Sequence, residues 1–249
     1  MFHQVKQNRI FLNALDQIET AILNGQLKPG DKLPPERELR ETMVISRATL
    51  REAFRALEQK GLIEIKLGVK GGTYIKELGV DQIAGGLGLL IRQRRISLQH
   101  LYEFREGAEG VAAGLATERA TDEDFRVLQE TFDQAGEYIQ KGGDYGRDFY
   151  EVESRLHQLV AQISGNPIYE LVFSAIHTNI NSYSYLLPQN EPALLSFYKE
   201  WGTILHFMRK REVTKVHTLT TTHASRANEF VQKASSERGN ILPDIMLNL

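Results

Sequence analysis

The chain has 249 residues, 41% of them hydrophobic, and a formal net charge of −2, enough length and apolar content for two domains with real cores. It contains no cysteine, which excludes disulfides and thiolate metal sites and accords with a bacterial cytoplasm. No apolar run approaches about 18 residues, and Met1-Phe2-His3-Gln4 leads directly into polar sequence, so neither a membrane span nor a signal peptide is expected.

Taken in chain order, the first strong signal begins at Leu33. Pro34 and Pro35 cannot continue a strand, but a proline fits the first turn of a helix, where its missing N–H would have had no partner. The spacing predicts a short helix over Glu36 to Thr42 and a break at Met43-Val44-Ile45. Ser46 then offers a hydroxyl cap, Leu50, Ala53, Phe54 and Leu57 recur at helical spacing, and Gly61 supplies a left-handed stop. With those four apolar residues turned inward, Arg47, Arg51 and Arg55 share a neighbouring exposed face with Ala48 and Glu52. A guanidinium fork makes two parallel hydrogen bonds and suits phosphates and guanine edges, although three arginines alone also fit an ordinary solvated face.

The residues after Gly61 favour contact with nucleic acid. Leu62, Ile63, Ile65 and Leu67 alternate with Glu64 and Lys66 as a strand, Gly68-Val69-Lys70-Gly71-Gly72 turns it, and Thr73-Tyr74-Ile75 return. Lys66 and Lys70 put positive charge near the tip of this hairpin, which as a wing would ride along a sugar-phosphate backbone or enter the minor groove. Charge is also unevenly divided. Residues 1–78 carry 13 Lys and Arg against 10 Asp and Glu, net +3, and the remainder carries 17 against 22, net −5. The attractive field for a polyanion therefore belongs to the arginine-bearing part. Together these elements predict a winged helix-turn-helix over residues 1–78.

The order LPPERELRE, SRATLREAFRALEQKGLI and GGTYI resembles the N-terminal domain of the GntR family of bacterial transcription regulators, over roughly residues 9 to 76. The resemblance implies that Arg37 contacts phosphate or a base, that Arg47 and Arg51 read base edges, and that Thr49 bonds the DNA backbone. Ser46, Ala48 and Lys66 complete the contact set, and Gly68 with Lys70, Gly71 and Gly72 forms the wing. Ala48 stands where relatives often carry a polar residue or proline, a departure that bears on base preference.

A boundary is expected near Leu78-Gly79-Val80, before the glycine-spotted stretch Ala84-Gly85-Gly86-Leu87-Gly88. From there the pattern is helical. No proline occurs between Pro35 and Pro167, and Ser97, Thr121 and Gly142-Gly143 punctuate the run as caps and breaks. Thr121 and Asp124 form a capping box ahead of the apolar stripe Phe125, Leu128, Phe132, Ala135 and Ile139. The fold class read from this is mostly α: the winged head, then an all-α bundle of about seven helices over 79–235 for effector binding and dimerisation, then a tail over 236–249 that docks or frays.

In the bundle, LYEFREGAEGVAAGLATERAT and FYEVESRLHQLVAQISGNPIYELV resemble the ligand-sensing domain of the FadR subfamily within GntR. In many members an aspartate four residues before a histidine, that histidine and two later histidines hold a divalent metal such as zinc beside an organic-acid effector. Mapped here, the aspartate position is Glu153, the histidines are His157 and His223, and the remaining ligand position is Trp201, whose indole N–H is only a donor. The set Glu153, His157, His223 is thus incomplete, metal retention is disfavoured, and the three are expected to bond one another or a ligand directly. His100, His177, His206 and His217 are expected to be surface or satisfied core histidines. The resemblance also implies that Arg105, with Glu109 one turn on, faces an effector cavity, where an arginine can clamp a carboxylate. Tyr102, Asn179, Asn181, Tyr183 and Trp201 are candidates to line it; Tyr183 and Tyr185 fit core or interface packing equally. Trp201 points to a bulkier or flatter effector.

The function expected is a cytoplasmic, ligand-responsive transcription regulator, a repressor that binds a palindromic DNA operator as a homodimer and answers to a small carboxylate or acyl thioester. The alternative is a metal-dependent enzyme or sensor built on Glu153, His157 and His223. No G-x-S-x-G, Walker loop, dinucleotide fingerprint or activated cysteine supports catalysis, so no enzyme is expected.

Overall fold

A computed structural model of the chain describes residues 9–68, 71–77, 79–141 and 145–237. They fall into two compact units, 1–82 and 83–249.

The first unit contains α1 (Arg9–Leu23), α2 (Glu36–Met43), α3 (Arg47–Gln59), β1 (Ile63–Lys66) and β2 (Gly72–Ile75). The two strands pair antiparallel from Ile63 opposite Ile75 to Lys66 opposite Gly72. Leu50, Phe54 and Leu57 of α3 pack with Ile18, Leu33, Leu62, Ile63 and Ile75 in one core. The inward face inferred from their spacing is therefore the buried one. Helix α2 buries no residue fully and is held to α3 through half-buried Leu39 and Met43 at the edge of that core. Ser46 caps α3, its Oγ accepting from the Thr49 amide at 3.1 Å, and Gly61 ends it at φ +73°. The break between α2 and α3 is sharp because Val44 adopts a left-handed conformation, φ 52° and ψ 49°.

Helix α4 (Val80–Arg92) incorporates the glycine-spotted stretch that separates head from bundle in the sequence pattern, and the division between units falls inside its first turn. The remaining helices are α5 (Leu98–Arg119), α6 (Asp122–Lys141), α7 (Gly146–Ile163), α8 (Pro167–Ile180), α9 (Glu191–Arg209) and α10 (Val213–Glu237), with a 3-10 turn over Asn181–Leu186. From α4 onward the described residues thus form seven α-helices. Local chemistry sets their starts. The Ser97 hydroxyl accepts from the His100 amide at 3.2 Å, and Thr121 and Asp124 exchange backbone and side-chain bonds at 2.7 and 3.2 Å. Asn166 and Asn190 cap α8 and α9, each followed by a proline in the first turn. The Gly142-Gly143 break and the tail from 238 lie outside the described residues.

Helices α5 and α10 lie along one another. Gly110 permits this: a Cβ there would meet Thr221 Oγ1 at 2.3 Å and the His217 carbonyl at 2.9 Å. The approach matters because α5 and α10 both carry residues of a buried ionic centre. None of the described helices is long and apolar enough to cross a membrane.

Candidate functional site

On the first unit, Arg47, Ala48, Arg51 and Arg55 are all exposed along α3. Arg47 lies 3.5 Å from Glu36, while Arg51 and Arg55 have no ion pair among the described residues. Arg37 is exposed on α2 and bonds Glu41 at 2.9 Å. The hydroxyls of Ser46 and Thr49 lie 2.8 Å apart, so part of their bonding capacity serves the helix cap. In the wing, Gly68 sits at φ +99°, and a Cβ at Gly71 would lie 2.6 Å from the Lys66 carbonyl, so the loop needs glycine at both places. Lys66 pairs with Glu64 at 2.7 Å and lies 4.9 Å over the Tyr74 ring; Lys70 lies outside the described residues. A further basic residue joins this edge: Lys32 donates to the Gly71 carbonyl at 2.7 Å and shares the Tyr74 ring. It is remote in sequence from the hairpin and reaches it only because Lys32 bridges to Tyr74 in the fold.

The second unit holds the buried ionic centre, arranged around His157 of α7. Its Nε2 is 2.9 Å from Glu153 Oε1, and its Nδ1 is 3.0 Å from Oε2 of Glu109 on α5. The same Glu153 oxygen lies 2.8 Å from Nε2 of His223 on α10 and accepts from Nε1 of Trp201 on α9 at 3.1 Å. Glu109 Oε1 accepts from Arg105 Nε at 2.5 Å and lies 3.3 Å from Nε2 of His177 on α8. Outside this ring, His223 Nδ1 meets Glu200 Oε2 at 2.7 Å, His177 Nδ1 meets Ser154 Oγ at 3.0 Å, and Arg105 lies over the Tyr102 ring at 5.0 Å. Arg105, Glu109, Glu153, His157, His177, Trp201 and His223 are all buried.

Burying so many ionisable groups is costly unless each finds an opposite charge. Burial works against protonated His157, but Glu109 and Glu153 outweigh it and raise its pKa to about 9. Burial alone would raise both carboxyls; Arg105 and His157 hold Glu109, and His157 and His223 hold Glu153, well below the usual carboxylate range. His177 goes the other way, lowered to about 4 by burial and by the Arg105 charge. At neutral pH, Arg105 and His157 therefore balance Glu109 and Glu153.

Six of the eight sequence-inferred effector residues are thus brought together: Arg105, Glu109, Glu153, His157, Trp201 and His223. Asn179 and Tyr183 are not. The Asn179 amide donates to the carbonyls of Ala84 and Ala175 at 2.9 Å, tying α8 to α4, and Tyr183 packs half-buried against the hydrophobic core. His177 is a satisfied buried histidine, as expected of it, but it lies inside the centre rather than apart from it. Its signal was available in the alternation Phe173, Ile176, His177, Ile180, which sets it on the buried face of α8. His100 bonds within the Ser97 cap, and His206 and His217 are exposed. Arg105 is not a free clamp for an incoming acid, because Glu109 already occupies its Nε.

The donors also bear on a metal. Glu153, His157 and His223 offer three buried ligand atoms within 4.8 Å of one another, as do Glu109, His157 and His177. In the first set each histidine turns its other nitrogen to a carboxylate, Glu109 or Glu200. That is the arrangement that orients metal-binding imidazoles, so this donor set fits a divalent ion. In the second set Arg105 sits directly on Glu109 and opposes a cation.

An exposed arginine face on a capped helix beside a basic hairpin, with a separate helical unit enclosing an ionic centre, defines a DNA-binding regulator with a sensing domain. Residues 12–75 match the model of bacterial regulatory proteins of the gntR family, and residues 100–226 match the FCD domain. The chain belongs to the GntR family, in its FadR-like branch, and is a ligand-responsive transcription regulator rather than an enzyme. It is 30% identical to the HTH-type transcriptional regulator LutR of Bacillus subtilis (strain 168) over 79% of this chain and 80% of that protein. It is 27% identical to a fatty acid metabolism regulator protein of Serratia proteamaculans (strain 568) over 78% of this chain and 80% of that protein. The solved structure of a Streptococcus agalactiae GntR shares the fold at a TM-score of 0.66 and 23% identity, covering 88% of this chain and 99% of that one.

Proposed function

We propose that this chain is a cytoplasmic repressor that binds a palindromic operator as a homodimer and is controlled by a ligand of the buried centre in its helical domain. The observation that carries the sensing part is the enclosure of two acids, an arginine and three histidines where apolar packing would serve stability better. Two heads related by a two-fold axis read two half-sites, so any change in their spacing alters operator affinity. The ligand must bind the released and DNA-competent states differently to act.

A small carboxylate or an acyl thioester is the effector class this reading favours, with the acid taking the place that Glu109 holds at Arg105. A Serratia relative named for fatty acid metabolism is consistent with an acyl group. The cavity at the centre has room for about one water, about 10 Å³, so an organic effector requires the surrounding helices to part. A divalent ion would be held by Glu153, His157 and His223, where it would supply a Lewis-acidic anchor for an acid or water. Glu109 and Glu200 would keep the two imidazoles aimed, and Trp201 would hold the Glu153 carboxylate.

The test is operator binding by fluorescence anisotropy on a duplex selected from a random pool. Addition of C2–C6 hydroxy- and dicarboxylic acids or acyl-CoA thioesters should lower affinity at least tenfold for one of them, and Arg105→Ala should abolish that response while leaving ligand-free affinity within about twofold. Operator release that persists in Arg105→Ala would move the sensor elsewhere.

A further inference from the structure

The wing carries an apolar side chain that the fold leaves bare. Ile63, Ile65 and Leu67 alternate along β1 and just past its end, and their exposure climbs from 1% to 43% to 94%. Strand alternation assigns all three to one side of the ribbon, but the hairpin runs out beyond the core of the head before it reaches Leu67. No other large hydrophobic side chain among the described residues is as exposed. A lone exposed leucine is ordinary on a protein surface, so the weight falls on what surrounds this one.

Its neighbour Gly68 is left-handed at φ +99° and has nothing within 4 Å of where a Cβ would stand, so the ribbon is narrow beside Leu67. The Gly71 amide closes the turn on the Gly68 carbonyl at 2.8 Å. Lys32 braces the root of the wing: its Nζ donates to the Gly71 carbonyl at 2.7 Å, and its Cε lies 2.3 Å from where a Cβ on Gly72 would fall. Lys32 and Lys66 lie 5.5 and 4.9 Å over the Tyr74 ring. Glu64 pairs with Lys66, whereas Lys32 has no ion pair among the described residues. The two lysines and the net charge of +3 on residues 1–78 favour a polyanion over an apolar protein partner at this edge. The minor groove is about 6 Å wide; lysines can meet the phosphates on its rims while an apolar side chain enters between base steps as a wedge.

We propose that Leu67 determines specificity by entering the minor groove and partly unstacking one base step, so that the head reads how easily that step deforms as well as the base edges within reach of α3. Pyrimidine–purine steps such as TA kink readily, and A-tracts are stiff. A minor-groove wedge bends the duplex toward its major groove by about 20–90°, and so closes the major groove on a helix lying in it. The inference rests on the head binding a duplex and is independent of what the helical domain senses.

The test uses the full-length protein on an operator duplex selected from a random pool. The duplex carries end labels for FRET, and 2-aminopurine is placed in turn at the steps that a hydroxyl-radical footprint assigns to the wing. Wild type should bend the duplex by at least about 20° and raise 2-aminopurine emission at one pyrimidine–purine step. Changing that step from TA to AA should weaken wild-type binding about tenfold, the cost of one unfavourable base pair. Leu67→Ala should abolish the bend and the emission and should bind the TA and AA duplexes almost equally. Its thermal melt should match wild type, because the side chain lies outside the core. Leu67→Met, an apolar wedge of similar length, should restore both signals. A straight duplex under bound wild type overturns the proposal, as does a bend that persists in Leu67→Ala. An equal loss from TA to AA in wild type and Leu67→Ala also overturns it, since another group would then read the step.

Discussion

His157 links the charges of the buried centre, and its raised pKa makes the bundle's stability depend on pH in a definite direction. A histidine whose folded pKa of about 9 exceeds its unfolded value near 6.5 stabilises the fold fully below pH 6.5, and loses that contribution as pH rises through about 9. Glu109 and Glu153, held low, contribute above their unfolded values near 4.5 and lose it as pH falls below them. His177, lowered to about 4, destabilises the fold increasingly as pH falls below its unfolded value near 6.5. In EDTA, the bundle's melting temperature should therefore peak near pH 6.5 and decline on both sides. His157→Gln should flatten the alkaline decline; an unchanged alkaline limb would place the titrating group elsewhere. Val44 presents a different residue-scale cost. It is β-branched, left-handed and 88% exposed, and that conformation costs about 1–2 kcal/mol that glycine avoids, set against about 0.5–1 kcal/mol of extra chain entropy. Val44→Gly should raise the head's stability by about 0.5–1 kcal/mol in urea unfolding.

Among elements, the pairing of α5 with α10 decides whether the centre can form, because α5 supplies Arg105 and Glu109 and α10 supplies His223. Gly110→Ala would set a methyl 2.3 Å from Thr221 Oγ1 and force the helices apart. Overpacking of this kind costs about 1–3 kcal/mol, and the same displacement should shift Trp201 emission by loosening its bond to Glu153. Denaturation and fluorescence of the one variant would check both, and a stability loss without a spectral shift would separate packing from the site. The helices also differ in how far their sequence discloses them. Helix starts at Ser46, Ser97 and Thr121 were legible because capping is local, a hydroxyl and an amide three residues apart. The meeting of Glu109 with His177 spans 68 residues and depends on how α5 and α8 pack, so no spacing rule could reveal it. Asn179 shows the converse: a polar residue that sequence offers as a pocket lining is spent on joining α8 to α4. Trp201 was readable as a missing ligand, but not as the donor to Glu153.

For the whole molecule, the division of charge predicts how DNA binding is shared among residues. The head carries net +3 and the remainder net −5, so attraction to a duplex is concentrated on a small basic surface while the rest of the chain opposes it. Each phosphate neutralised releases counterions and contributes about 0.9 to the slope of log K against log salt. Arg51, exposed on α3 and without an ion pair among the described residues, is suited to a base edge, and Arg51→Ala should cost about 1–3 kcal/mol on the selected operator while leaving non-specific affinity almost unchanged. Lys70, in the glycine-rich sequence between the strands, is suited to phosphate. Lys70→Ala should weaken binding to every duplex alike and flatten the salt slope by about one unit. Salt titrations of wild type and both variants on specific and random duplexes distinguish these roles, since a reader changes the ratio of the two affinities and a positioner changes their common slope. Equal losses in both variants, with equal slopes, would mean that α3 and the wing do not divide recognition in this way and that the arginine face acts as charge alone.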